Sequence, residues 1–125
     1  MTLLPAPLMS LATHQLSGRG RGGNVWLSPA GCLQFSLLLK VSSSPGSSPY
    51  PYLPLERTVL VQYLMGMAVV AGCRPLLGLN AGHIRLKWPN DIYGIVDGTK
   101  KKLGGIIVTT FLSENVNSIV IGKPS

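Results

Sequence analysis

Hydrophobic and polar positions divide the chain into short stretches with different periods. Residues 1–10 are apolar, carry Pro5 and Pro7, and show no repeat. Leu11–Ala12–Thr13 reads as the end of a strand, and His14 to Pro29, rich in Gly, Arg and Ser, predicts a long loop. The run of leucines from Gly31 to Val41 predicts a strand covered on both faces. Ser, Pro and Gly then dominate Val41 to Pro54, a surface loop.

Leu55 to Gly72 predicts a helix, with Pro54 where it begins and Gly72 where it stops. Val59, Tyr63, Met67 and Val70 share one face at spacings of three and four, which Val61, Leu64 and Ala68 widen. Gly66 costs helicity but permits close approach of another element. Cys73 to Gly82 reads as a loop. Ile84–Trp88 predicts a short strand ended by Pro89, and Ile92–Val96 and Leu103–Leu112 two strands joined through Asp97-Gly98. Ser118–Ile121 is the last strand. The predicted class is α+β, a mixed and mostly antiparallel sheet with helices on one side.

Composition narrows the possibilities. The 125 residues suit one core, and 46% hydrophobic against 12% charged residues excludes disorder of the whole chain. A formal charge of +7 suits a polyanion, a phosphate-bearing ligand or an acidic protein partner. Cys32 and Cys73 lie apart in apolar surroundings, without the Cys/His clustering of a zinc site, and read as buried thiols of a reducing compartment. The apolar run Val59 to Cys73 falls short of the ~20 residues of a membrane span and reads as a buried helix of a soluble protein. No secretory signal is evident. His14 and His83 lack the sequence partners of a hydrolytic triad.

Two segments carry candidate chemistry. The first is THQLSGRGRGGNVWLSP, residues 13–29. Gly18, Gly20 and Gly23 match the spacing of a dinucleotide-binding turn. Pro29 follows where a helix is needed, however, and no acidic residue precedes Glu56, so that reading fails. The glycines bring the backbone close to a ligand. Arg19 and Arg21 offer forked donors for a carboxylate or phosphate, Trp26 an aromatic face, and Gln15 an amide partner. An anionic ligand with a flat ring fits this set. An RNA-binding Arg-Gly segment is the competing reading, although such segments usually recur and this one occurs once.

The second segment, residues 85–109, reads RLKWPNDIYGIVDGTKKKLGGIIVT. Lys87 sits where a strand meets the stiff Trp88-Pro89 turn, fixed well enough to neutralise charge on an anionic ligand. Asp91 can orient the site, help to hold Mg²⁺, or simply cap the turn. Lys100–Lys101–Lys102 reads as a solvated hairpin tip, with docking of an acidic protein domain as the alternative.

Both strings resemble signatures of the biotin–protein ligases. Gln15, Gly18, Arg19, Gly20, Arg21, Gly23, Trp26, Ser28 and Pro29 match the family's arginine-glycine loop in a form similar to the eukaryotic, especially fungal, one. Lys87-Trp-Pro-Asn-Asp91 followed by Lys102-Leu-Gly-Gly-Ile106 matches the second signature. The resemblance implies a partial catalytic domain over residues 11–122, a poorly matched segment 1–10 and a truncated end 123–125. It implies the class II aminoacyl-tRNA synthetase-like fold of biotin and lipoate ligases.

By that likeness Gln15, Gly18, Arg19, Gly20, Arg21, Lys87, Gly104 and Gly105 bind biotin. Trp26, Asn90 and Asp91 serve the nucleotide, and Lys87 and Arg21 act in catalysis. The implied substrates are biotin and ATP with Mg²⁺, without assigned metal ligands. The implied partners are biotin carboxyl carrier domains of carboxylases, in the cytoplasm, with no nucleic acid or membrane. The alternatives are a non-catalytic remnant, an RNA-binding module and a lipoate-type ligase. Only part of the domain is matched, so the expectation is weak or absent activity and low stability for this chain alone.

Overall fold

The computed structural model describes residues 4–76 and 83–122. They form nine strands and one α-helix, and every strand pair is antiparallel. The predicted α+β class holds, with a single helix among the described residues. The chain divides into two compact units, Met1–Thr58 with Ile107–Ser125, and Val59–Ile106.

The first unit is built on a four-stranded sheet. Its strands are β1 (Leu8–Ala12), β4 (Gln34–Ser42), β8 (Val108–Phe111) and β9 (Val116–Gly122), in the order β1-β4-β9-β8. The central strand β9 is buried from Asn117 to Ile121, and Ile119 is fully enclosed. Opposite it, β4 has no two-residue alternation of burial, as its continuous apolar run predicts. Gly122 closes the β4 pairing with φ +92, and a Cβ there would strike the Phe35 carbonyl. Only glycine fits that backbone. Buried Ser42 donates its hydroxyl to the Ser44 carbonyl at 2.6 Å and so anchors the Ser/Pro/Gly loop.

The predicted loop His14–Pro29 is instead a hairpin, β2 (Gln15–Arg19) and β3 (Val25–Ser28), joined by a 3₁₀ turn at Arg21–Gly23. A register shift between Gln15 and Gly18 interrupts the pairing, and glycines at the tip hide the strand period in the sequence. Cys32, expected to be buried, is exposed in the turn into β4, where its N–H bonds the Pro29 carbonyl. Cys73 is half-buried.

The second unit packs a helix with a three-stranded sheet. Helix α1 spans Thr58–Leu76 after a 3₁₀ turn at Leu55–Arg57, so it runs past the expected stop at Gly72. Arg74 anchors the added turn by donating Nη2 to the Ile84 carbonyl at 3.0 Å. The remainder of the predicted loop, residues 77–82, lies outside the described residues.

The face that α1 buries differs from the predicted one. Gly66 and Val70 are buried and Tyr63 half-buried, whereas Val59, Leu64 and Met67 are exposed. A helix apolar all round does not specify its own inward stripe, and here the seat is set by Gly66. A Cβ at Gly66 would lie 2.7 Å from Leu86 Cδ1, the close approach anticipated for this glycine. The helix is therefore not the buried element predicted. By length and composition alone Leu55–Pro75 is also long and apolar enough to cross a bilayer.

The sheet of this unit runs β5 (Ile84–Lys87), β6 (Asp91–Val96) and β7 (Thr99–Gly105). Asp97 at φ +51 and Gly98 at φ +74 form the expected tight turn between β6 and β7. The predicted strand Leu103–Leu112 is two strands, β7 and β8, in different sheets and separated at Ile106–Ile107.

Candidate functional site

Each signature segment occupies its own unit. In the first unit the β2–β3 hairpin turns Gln15, Gly18, Trp26 and Ser28 to its covered face and leaves Leu16, Val25 and Leu27 outward. Gly18 is buried so tightly that a Cβ would overlap the Trp26 carbonyl and meet Ser28 Oγ at 3.0 Å and Gln15 Oε1 at 3.2 Å. Ser28 donates its hydroxyl to Gln15 Oε1 at 3.1 Å, which fixes the Gln15 amide across the strands. Gln34, not singled out by the sequence, supports this bond by donating Nε2 to the Ser28 carbonyl at 3.2 Å.

At the tip the Gly20 N–H bonds the Asn24 carbonyl, and Gly22 and Gly23 take φ +67 and +81. Left-handed backbone at two successive positions accounts for the Gly-Gly pair. Arg19, the last residue of β2, and Arg21, the first of the turn, are exposed. The structure thus brings Gln15, Gly18, Trp26 and Ser28 together and sets Arg19, Gly20 and Arg21 on the hairpin end.

In the second unit the cis Trp88-Pro89 turn links β5 to β6. Asn90 is buried, and its carbonyl accepts the Ile106 N–H at 2.9 Å. Trp88 is exposed and meets Tyr63 edge-on, with ring centroids 5.1 Å apart.

Directly paired residues of antiparallel strands share a face. Lys87 pairs with Asp91, Arg85 with Tyr93, Tyr93 with Lys102, and Ile95 with Lys100. One face therefore gathers Arg85, Lys87, Lys100 and Lys102 around a single acid, Asp91. Lys102 Nζ lies 2.9 Å from Asp91 Oδ1. Lys87 Nζ and Lys100 Nζ lie 5.5 and 4.7 Å from the Tyr93 ring centroid. The three lysines are exposed, as expected, but they belong to β7 and not to the hairpin tip itself, which is at Asp97-Gly98.

Gly104 has open space where a Cβ would be, and Gly105 would make only ordinary contacts with Asn90 and Asp91. Internal packing therefore does not explain the Gly-Gly pair. No group of three or more His, Cys, Asp or Glu suited to a metal occurs among the described residues, and Asp91 is taken by Lys102. This donor set does not fit a protein-held Mg²⁺ cage. A cavity of about 470 Å³ in the first unit, lined by Lys40, Tyr50, Phe111, Glu114 and Asn115 among others, contains none of the sequence-predicted residues.

Residues 1–123 match the model of the biotin/lipoate A/B protein ligase family, and the chain belongs to that family. It is 38% identical over 115 residues to the human biotin–protein ligase, covering 92% of this chain and 14% of that protein. To the biotin–protein ligase of Schizosaccharomyces pombe it is 40% identical over 121 residues, covering 90% and 18%.

Among solved structures, it resembles the biotin acetyl coenzyme A carboxylase synthetase of Helicobacter pylori with bound biotinylated ATP. That match has a TM-score of 0.57 and 28% identity, over 99% of this chain and 52% of the other. The Leishmania major biotin protein ligase in complex with biotinyl-5-AMP matches with a TM-score of 0.62 and 25% identity, over 91% and 45%. The chain thus spans about half of these solved relatives and under a fifth of the human and fission-yeast proteins.

Proposed function

We propose that the chain carries part of a site that activates biotin with ATP and passes it to a lysine of an acceptor protein. The observation that carries this reading is the β2–β3 hairpin. Its arginines sit on a folded, glycine-locked support with a fixed Gln15 amide, whereas an RNA-binding Arg-Gly run is normally unstructured until bound. In the first step the carboxylate of biotin attacks the α-phosphate of ATP and pyrophosphate leaves. In the second, an acceptor lysine attacks the mixed anhydride and AMP leaves.

Gln15, Gly18, Arg19, Gly20 and Arg21 bind biotin and its adenylate in this reading, and Trp26 stacks near the adenine. Lys87 and Arg21 stabilise the charge that develops at phosphorus. Asn90 and Asp91 serve the nucleotide side, and the open backbone at Gly104-Gly105 admits the ligand. A specific observation adds Lys102, because its ion pair with Asp91 holds a second ammonium on the same face as Lys87. Mg²⁺ would be held through the ATP phosphates, since the described residues group few ligands for it. The acceptors are biotin carboxyl carrier domains of carboxylases, and the setting is cytoplasmic.

Identity with biotin–protein ligases favours biotin over lipoate. The exposed apolar side chains of α1 and of the hairpin support weak activity for this chain alone. Calorimetry with biotin, lipoate and a short RNA, together with biotin-dependent pyrophosphate exchange, tests the proposal. Biotin binding that is lost in Arg21→Ala and Lys87→Ala is expected. Binding of RNA alone, with a steep salt dependence, would refute it.

A further inference from the structure

The chain contains three Ser-Pro dipeptides, Ser28-Pro29, Ser44-Pro45 and Ser48-Pro49. The first closes the β2–β3 hairpin, where Ser28 is buried and its hydroxyl is spent on Gln15 Oε1. The other two lie in the loop after β4. That loop leaves the sheet where Ser42 pairs with Val116, the opposite end from the Ala12–Gln34 pair that carries the hairpin. Residues 43–54 hold no charged side chain. Ser44 is exposed and Ser48 half-buried, so the hydroxyls of both are within reach and the backbone decides between them.

Ser44 opens a tight turn with Pro45 and Gly46 at its centre, Gly46 at φ +72, and the Ser47 N–H on the Ser44 carbonyl at 3.3 Å. The same carbonyl accepts the hydroxyls of Ser42 and Ser47 at 2.6 and 2.9 Å. Three donors therefore lock the backbone at Ser44, and one of them belongs to fully buried Ser42. Ser48 lies beyond this turn. Its hydroxyl accepts the Tyr50 N–H at 3.3 Å, a single long contact across Pro49. Pro49 and Pro51 have no N–H to add to it. A kinase cleft takes its serine on an opened backbone. Opening at Ser48 breaks one long bond, and opening at Ser44 breaks three.

We propose that Ser48 is a phosphorylation site for a proline-directed serine/threonine protein kinase. Ser48 Oγ attacks the γ-phosphorus of the kinase's ATP. The Oγ–P bond forms, the bond to the β–γ bridging oxygen breaks, ADP leaves and the hydroxyl proton passes to the kinase's base. The product carries about −1.5 to −2 charge at pH 7. Lys40 is the cation that receives it. Its ammonium lies 5.8 Å from the ring centroid of Tyr50, two residues along from Ser48, and donates to the Leu4 carbonyl at 2.6 Å. A phosphate oxygen is the stronger acceptor, so the modification draws Lys40 from the segment before β1 towards the loop. Glu114 lines the same cavity as Lys40 and Tyr50 and opposes the added charge.

The folded chain is incubated with ATP and, in turn, a mitogen-activated and a cyclin-dependent protein kinase, and the phosphate is located by tandem mass spectrometry. A synthetic peptide of residues 40–55 is treated in parallel. Ser48 is expected to be modified about tenfold faster than Ser44, which has two further bonds to open, and Ser28 not at all. Ser48→Ala should remove most of the incorporation, and Ser44→Ala little of it. A second readout concerns Lys40. In a phosphorus NMR titration, the second ionisation of the phosphate should fall about 0.2–0.7 pH unit lower in the modified parent than in modified Lys40→Met, the size of an exposed ion pair. Circular dichroism checks that Lys40→Met is folded. Modification of the peptide but not of the chain, of neither by either kinase, or of Ser44 or Ser28 as fast as Ser48 overturns the assignment of Ser48. Equal ionisation in the parent and in Lys40→Met overturns the role of Lys40.

Discussion

Replacing Gly18 by alanine tests whether the hairpin is a built binding element. The added methyl would overlap the Trp26 carbonyl and approach Ser28 Oγ and Gln15 Oε1 at 3.0 and 3.2 Å. The first obstacle is backbone and cannot rotate away, so β2 and β3 must separate. That separation breaks the 3.1 Å Ser28–Gln15 bond and frees the Gln15 amide. Overpacking of this kind costs about 1–3 kcal/mol. The cost falls on a two-stranded hairpin and not on the β4–β9 core, so it lowers the fraction of molecules with a formed hairpin. If biotin needs that form, its apparent affinity drops about 5- to 150-fold. Calorimetric titration with biotin reads the loss, and Ser17→Ala, exposed on the same strand, is the control. Thermal unfolding of the core should change little in either variant. Biotin affinity in Gly18→Ala equal to that of the parent would refute the reasoning.

Other substitutions separate stability from function. Gly122→Ala, forced to φ +92 against the Phe35 carbonyl, should destabilise the chain by roughly 2–4 kcal/mol in denaturant unfolding. Ile119→Ala, which empties the best-enclosed site of β9, should cost about 2–5 kcal/mol by the same measurement. Asp91→Asn breaks the ion pair with Lys102, which is part-exposed. It should alter stability by less than ~1 kcal/mol yet reduce biotin-dependent pyrophosphate exchange. Gly98→Ala, at φ +74 in the β6–β7 turn, should cost about 1–2 kcal/mol in urea unfolding, with no methyl clash to add to it.

The elements that the sequence made legible are those whose local signals agree. The leucine run of β4, the Asp97-Gly98 turn and the close approach at Gly66 each follow from a residue type that fits few other backbones. Where signals conflict, tertiary structure decides. The β2–β3 hairpin was hidden because glycines interrupt its alternation, and three of its outward residues are large and apolar: Leu16, Val25 and Leu27, exposed to 93%, 81% and 84%. Such residues at outward positions erase the polar half of the strand pattern. Helix α1 had the opposite difficulty, since apolar residues on every side left its inward face to be chosen by Leu86. The boundary between β7 and β8 falls inside Leu103–Leu112, a stretch without a turn signal, because the chain changes sheets there instead of reversing.

The candidate chemistry divides in the same way. The candidate residues could be named from the two strings, but the pairing of charges on the β5–β7 face could not. That pairing depends on a register shift between Ile92 and Tyr93, which sets Lys102 opposite Tyr93 and leaves Leu103 as the extra residue of β7. Side-chain period is two, so moving one residue in or out of the ladder exchanges faces for everything beyond it. Carried without a shift from Asp91 and Gly105, the ladder would set Leu103 opposite Tyr93 and Lys102 opposite Gly94, on the other face. Asp91 would then lose the lysine that now holds it, and Lys87, its direct neighbour across the strands, would be the nearest candidate to replace it. The bulge is therefore what leaves Lys102 on Asp91 and Lys87 over the Tyr93 ring, and a three-residue string of lysines carries no mark of it.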